Sequence, residues 1–236
     1  MNILWIKDNN VGHEKQVKVL LDELSKTRDI NIIQINVKGF HPFFKYVDPV
    51  EENLFDLIIG AGHKTYSFII DIKKSQKKSC KTVAILTPSF NKDKFDLICA
   101  PAHDQNKFNN SNNVIFFEGS LAKVSLDEAD ENIILVAIGG KSKHYYFDED
   151  SILNQIEYFL SIYPDKEYYV FNSKRTPVSM NNKIAKLAGT KEIIFCDYKN
   201  NDISFESILH KSSAKLITRD SVNMIFESLS CKGNTY

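Results

Sequence analysis

The chain of 236 residues balances 30 Lys+Arg against 30 Asp+Glu, and 43% of its side chains are hydrophobic. That balance leaves no global field to draw nucleic acid or an anionic membrane, so any affinity for phosphate must be local. No apolar run approaches the roughly 18 residues of a membrane span, and the run after Met1 is too short for a secretory signal. A cytoplasmic protein is expected.

Asn2–Ile6 reads as a first strand, followed by a helix in which Val17, Leu20, Leu21 and Leu24 share one face. Asn31–Val37 is a second strand, and a loop with aromatics at Phe40, Phe43 and Phe44 follows it. Phe55–Ile59, Lys81–Leu86, Phe95–Cys99 and Asn113–Phe117 read as further strands, with a helix over about Thr65–Lys74. The acidic run Asp127–Asn132 reads as a linker. Beyond it, strands at Ile133–Ile138, Glu167–Phe171, Glu192–Cys196 and Ala214–Thr218 alternate with helices over Ser151–Ile162, Ser179–Leu187, Ser204–His210 and Ser221–Leu229. Alternation of this kind predicts an α/β protein: two Rossmann-like domains with parallel sheets, residues 1–126 and 133–236 joined at 127–132. Cys80, Cys99, Cys196 and Cys231 are widely spaced and predict reduced, mostly buried thiols.

Ligands of such sheets bind at the carboxyl ends of the strands. After Ile133–Ile138 come Gly139, Gly140, Lys141, Ser142 and Lys143, where glycine backbone, hydroxyl and cations could receive a diphosphate. A glycine turn with solvated lysines explains the same residues. After the next strand, Ser173, Arg175 and Thr176 converge, with Pro177 opening a helix whose N-terminal N–H groups attract anions. After Ala214–Thr218 stand Thr218, Asp220 and Ser221, with Glu227 two turns into the helix as an acceptor for ribose hydroxyls. Simple helix capping is the plainer account of that loop. Three such loops in phase point to one phosphate-binding crevice.

In the first half His13 and His63 each lie in a glycine-containing turn at a helix start, where a neutral imidazole can act as a general base. His103 and Asp104 follow another strand. No H-E-x-x-H or close His/Cys pair is present, so no metal site is expected. Asp148-Glu149-Asp150 has the D-x-D spacing of a metal-holding motif but directly precedes a helix, where capping is the expected role.

Several of these segments, in this order, resemble the plant mitochondrial-fission "elongated mitochondria" family and its bacterial relatives. The likeness rests on Gly12-His13-Glu14-x-Gln16, Ile59-Gly60-Ala61-Gly62-x-x-Thr65, Phe95-Asp96-Leu97 with Pro101-x-His103-Asp104, Ile138-Gly139-Gly140-x-Ser142-Lys143-His144-Tyr145, Ser173-x-Arg175-Thr176-Pro177 and Thr218-x-Asp220-Ser221-Val222-x-Met224-x-x-Glu227. The family is similar in fold to GT-B glycosyltransferases. The resemblance implies a metal-independent protein with a nucleotide-sugar as substrate and no cofactor. Phosphate would lie on Gly140, Ser142, Ser173, Arg175 and Ser221, the ribose on Glu227, and His13 or His63 would serve the acceptor. The acceptor stays open, a lipid-linked one included, as does peripheral contact with the inner membrane. Relatives run on past Tyr236, which implies an incomplete C-terminal domain. Plant members recruit the fission machinery, so a non-catalytic interaction protein is the rival reading, and the aromatics at 40–44 are its motivating feature. A nucleotide-sugar epimerase is the third and weaker reading: it would want G-x-G-x-x-G after strand one and a Tyr-x-x-x-Lys pair, and neither occurs in the right place.

Overall fold

The computed structural model describes residues 1–37, 54–109, 111–142 and 145–236. It divides into two units, Met1–Ala122 and Lys123–Tyr236. The aromatic segment at 40–44, Lys143 and His144 lie outside the described residues.

In the first unit β1 (Asn2–Lys7), β2 (Asn31–Asn36), β3 (Leu57–Ala61), β4 (Lys81–Ile85), β5 (Leu97–Pro101) and β6 (Val114–Phe117) form one sheet. Its order is β2-β1-β3-β4-β5-β6, with every described pairing parallel. A parallel strand covered on both sides must be apolar on both faces, and β1 is. Ile3 and Trp5 join α1 (Val11–Ser25) through Val17 and Leu21, while Leu4 and Ile6 face the cluster of Tyr66 and Ile69 on α2 (His63–Ser75). Each fully buried aliphatic side chain contributes roughly 1.5–3 kcal/mol.

The second unit repeats the scheme with β7 (Asp130–Ala137), β8 (Glu167–Phe171), β9 (Ile193–Cys196), β10 (Ser212–Ile217) and β11 (Asn234–Thr235), ordered β11-β10-β7-β8-β9 and again parallel. Helices α3 (Glu149–Ile162) and α4 (Val178–Ala188) share one apolar cluster through Ile156, Phe159, Met180 and Ile184. Helices α5 (Phe205–Lys211) and α6 (Val222–Leu229) share the other through Ile208, Leu209, Met224 and Ile225.

The structure differs from the sequence reading in instructive places. Much of the acidic run belongs to a strand: β7 begins at Asp130, and Ser212 pairs with Asp130 while the Asp130 and Glu131 side chains face solvent. The division falls earlier, at Ala122, because Ser125 N–H already donates to Ser230 O (3.0 Å) inside the second unit. Strand β3 starts later than expected and runs through Gly60, where a Cβ would approach Ile6 O to 2.9 Å. One buried charge was not anticipated: Lys215, on β10, extends its ammonium to the carbonyls of Ser228 (3.1 Å), Cys231 (3.3 Å), Lys232 and Gly233 (3.4 Å). Ser228 lies in the last turn of α6 and the other three follow it, so the lysine ties the end of α6 to the turn that leads into β11. All four cysteines are free and buried, and burial pushes Cys80 and Cys196 up to about 11, which keeps them as thiols.

Candidate functional site

In each sheet the strand order reverses once, between β1 and β3 and between β7 and β10, and such switch points are where parallel α/β sheets bind their ligands. The candidate residues gather at these two places.

At the second switch point the loops after β7, β8 and β10 are tied together. Gly139 N–H donates to Thr218 Oγ1 (2.7 Å) and Gly140 N–H to Asp220 Oδ2 (2.9 Å). Gly139 O accepts from Ser173 Oγ (2.8 Å), and the Thr176 hydroxyl lies against the carbonyls of Gly139 and Ile138. Arg175 Nη2 meets Asp220 Oδ2 at 2.8 Å, and its Nη1 reaches Lys141 O at 3.4 Å. The structure thus brings Gly139, Gly140, Ser173, Arg175, Thr176, Thr218 and Asp220 together. It also changes what the glycines are for. A Cβ on Gly139 would stand 2.2 Å from Asp220 Oδ2, and one on Gly140 2.0 Å from Arg175 O. Their small size lets loop pack on loop, and their N–H groups are already spent within the protein.

The groups facing outward are fewer. Asp220 is nearly buried (4% exposed) and its Oδ1 has no hydrogen-bond partner among the described residues, while Arg175 is 44% exposed with further N–H donors to offer. Ser221 begins α6 without a side-chain cap bond, and α4 starts at Pro177, also without one, whereas Asn10, Asp148 and Ser204 cap α1, α3 and α5. Uncapped N-termini retain donors and the positive end of the helix dipole. Ser142 and Glu227 are each half-buried and engaged within the protein. Asn172, at the start of the loop after β8, joins it to the next one, donating to Asp197 Oδ1 (3.2 Å) and accepting from Tyr198 N–H (2.7 Å).

The first switch point holds a pair the sequence did not disclose. His13 Nδ1 lies 2.7 Å from Asp8 Oδ2, and Asp8 Oδ1 accepts Asn10 N–H at 3.0 Å. A carboxylate only accepts, so the proton of a neutral ring sits on Nδ1 and the lone pair on Nε2. Gly62, at φ +84°, comes from the loop after β3, and a Cβ there would stand 2.5 Å from His13 Nδ1. His63 is exposed with its ring edge-on to Tyr66 (5.7 Å), and His103 is exposed as well. Asp148 caps α3 through Ser151 N–H (3.1 Å), while Glu149 and Asp150 pair with Lys183 (3.3 and 2.6 Å). Among the described residues no group of three or more His, Cys, Asp or Glu is placed to hold a metal ion, and no helix is long and apolar enough to cross a membrane.

Among solved structures, a Listeria monocytogenes protein assigned as a UDP-N-acetylglucosamine 2-epimerase is similar to the chain at 11% identity and a TM-score of 0.61, over 99% of this chain and 78% of that one. Staphylococcus aureus MnaA, solved with UDP, aligns at 12% identity and a TM-score of 0.57, over 97% and 77%. A Neisseria meningitidis UDP-GlcNAc 2-epimerase bound to UDP-GlcNAc aligns at 13% and 0.54, over 95% and 79%. Likeness at this identity shows the fold, which is GT-B-like with two Rossmann-like units. No curated protein sequence matches the chain. The family model described as mitochondrial fission ELM1 matches residues 11–236, and the chain belongs to that family.

Proposed function

We propose that the chain binds a nucleoside-diphosphate sugar at the carboxyl edge of its second sheet and transfers the sugar to an acceptor hydroxyl. The observation that carries this reading is the convergence of three loops on the Arg175–Asp220 pair at the β7/β10 switch point. The outward N–H groups of Arg175, the Ser221 hydroxyl and the N-terminus of α6 receive the diphosphate, with Lys141 and Ser142 alongside. Glu227 accepts from the ribose. His13, oriented by Asp8, is a better base than His63, which has no carboxylate among the described residues to fix its tautomer. Transfer requires a base to take the acceptor's proton as the acceptor oxygen bonds to the anomeric carbon, and His13 Nε2 is the first unit's candidate for that base. The bond from that carbon to the phosphate oxygen breaks, and the diphosphate leaves with the electron pair, its charge met by Arg175 and the helix N-terminus. No cofactor enters this scheme.

The names of the structural neighbours favour a second reading on the same site, epimerisation of the bound sugar. The absence of a dinucleotide loop argues only against epimerases that need one.

Calorimetric titration with UDP, GDP, ADP and their sugar conjugates tests the proposal. Binding of one series, weakened about 100-fold in Arg175→Met, is expected for a charge-assisted phosphate contact of roughly 2.7 kcal/mol. A folded full chain that binds none of them overturns it. Chromatography of the incubated nucleotide-sugar separates the two activities: free nucleoside diphosphate marks transfer, and a new sugar isomer marks epimerisation.

A further inference from the structure

Beside the Arg175–Asp220 pair, on the α3 side of the second sheet, lies a cavity of about 270 Å³ that the phosphate-binding reading leaves unused. Its wall includes Asp220 itself, the carboxylate with one buried oxygen lacking a partner among the described residues. Tyr145 and Phe147 form an aromatic rim, and the Arg219 guanidinium lies over the Tyr145 ring at 5.9 Å. Asp148 and Gln155 add a second carboxylate and an amide, and the floor is the apolar end of the sheet at Val136 and Leu216.

Size and polarity together select the occupant. Sites for drug-sized ligands span roughly 300–1,000 Å³, so this cavity takes one ring and not a whole nucleotide. Its polar groups mix acceptors, the Asp148 and Asp220 carboxylates and the Gln155 amide oxygen, with donors, the Arg219 guanidinium and the hydroxyls of Ser151 and Tyr146. A nucleobase such as uracil has a single N–H donor to offer two carboxylates. A pyranose presents several hydroxyl donors around a C–H face, which suits carboxylates above an apolar and aromatic surface. We propose that this cavity is the subsite for the glycosyl ring, with Asp220 a shared wall between phosphate and sugar. Asp220 Oδ1 then takes a sugar hydroxyl, and Arg175 keeps Oδ2.

The assignment rests on the nucleotide-sugar reading, and the experiment separates the two. Binding of the tightest of UDP, GDP and ADP is measured by calorimetry against its glucose and N-acetylglucosamine conjugates. The sugar is expected to tighten binding about tenfold. Tyr145→Ala and Gln155→Ala change exposed residues, so the fold is retained, and each should remove most of that gain while leaving the nucleoside diphosphate unchanged. Gln155→Trp, which fills the cavity, should bring the conjugate down to the affinity of the diphosphate alone. A diphosphate that binds with no gain from the sugar overturns the subsite alone. Variants that weaken both ligands equally also overturn it. Failure of every nucleoside diphosphate to bind overturns the underlying reading and the subsite with it.

Discussion

At both switch points a nearly buried carboxylate holds a more exposed nitrogen group beside a glycine. Asp8 (7% exposed) holds His13 (26%) against Gly62, and Asp220 (4%) holds Arg175 (44%) against Gly139 and Gly140. The chemistry diverges in the nitrogen group. An imidazole gains and loses a proton near neutrality, whereas a guanidinium keeps its charge throughout. On the proposed reading the first pair moves a proton and the second holds an anion. The same parallel-sheet architecture yields a different chemical tool according to which residue the carboxylate orients.

The largest effect should come from breaking the first tool. His13→Gln is expected to lower nucleotide-sugar turnover by about 10²–10⁴, the range of general-base loss, with nucleotide affinity unchanged. Asp8→Asn keeps the ring but releases its tautomer, and should cost turnover about tenfold or more. Loss of affinity in either variant would mean that the division of labour is drawn wrongly. The second tool should respond in the opposite sense. Arg175→Met loses affinity and also strands a nearly buried carboxylate, at about 3 kcal/mol of stability. Adding Asp220→Asn should restore most of the stability, read by denaturant unfolding, and none of the affinity.

The glycines test the packing behind both pairs. Gly62→Ala places a side chain at φ +84° and within 2.5 Å of His13, and Gly139→Ala places one within 2.2 Å of Asp220. Each should cost about 2–3 kcal/mol through strain and overpacking, with the loss of function following the unit that carries the change.

Much of this framework is legible in the sequence because a parallel α/β unit announces itself by alternation, and its loops then fall at known places after each strand. The strands around Ile133–Ile138 and Glu167–Phe171 and the loops carrying Ser173, Arg175 and Thr218 follow from that rule alone. The partners within the loops do not. Asp8 reads as the polar tail of a strand, since its bond to His13 depends on how the turn at Asn9 and Asn10 closes. Arg175 and Asp220 are far apart in sequence and meet only because β8 and β10 flank β7. Glycines resemble ligand-facing backbone in the sequence, yet at 139 and 140 they face neighbouring loops. Strand β11, of two residues, is too short to carry a period, and the acidic residues at 130 and 131 conceal a strand whose side chains happen to face water.

Gly189 supplies the smallest effect and the sharpest control on the glycine comparison. It ends α4 at φ −72° and ψ −13°, a right-handed conformation open to any residue. The nearest atom a Cβ would meet is Lys186 O at 3.5 Å, an ordinary contact. Nothing in the folded chain requires glycine there, and alanine narrows the freedom of the unfolded chain. Gly189→Ala should therefore stabilise the second unit by about 0.4–1 kcal/mol, seen as a raised denaturation midpoint with unchanged slope. Nucleotide affinity should stay at the parent value, because the substitution lies at the far end of α4 from Arg175. If it instead destabilises the protein as much as Gly139→Ala, the cost at the switch points cannot be credited to the carboxylates that crowd them.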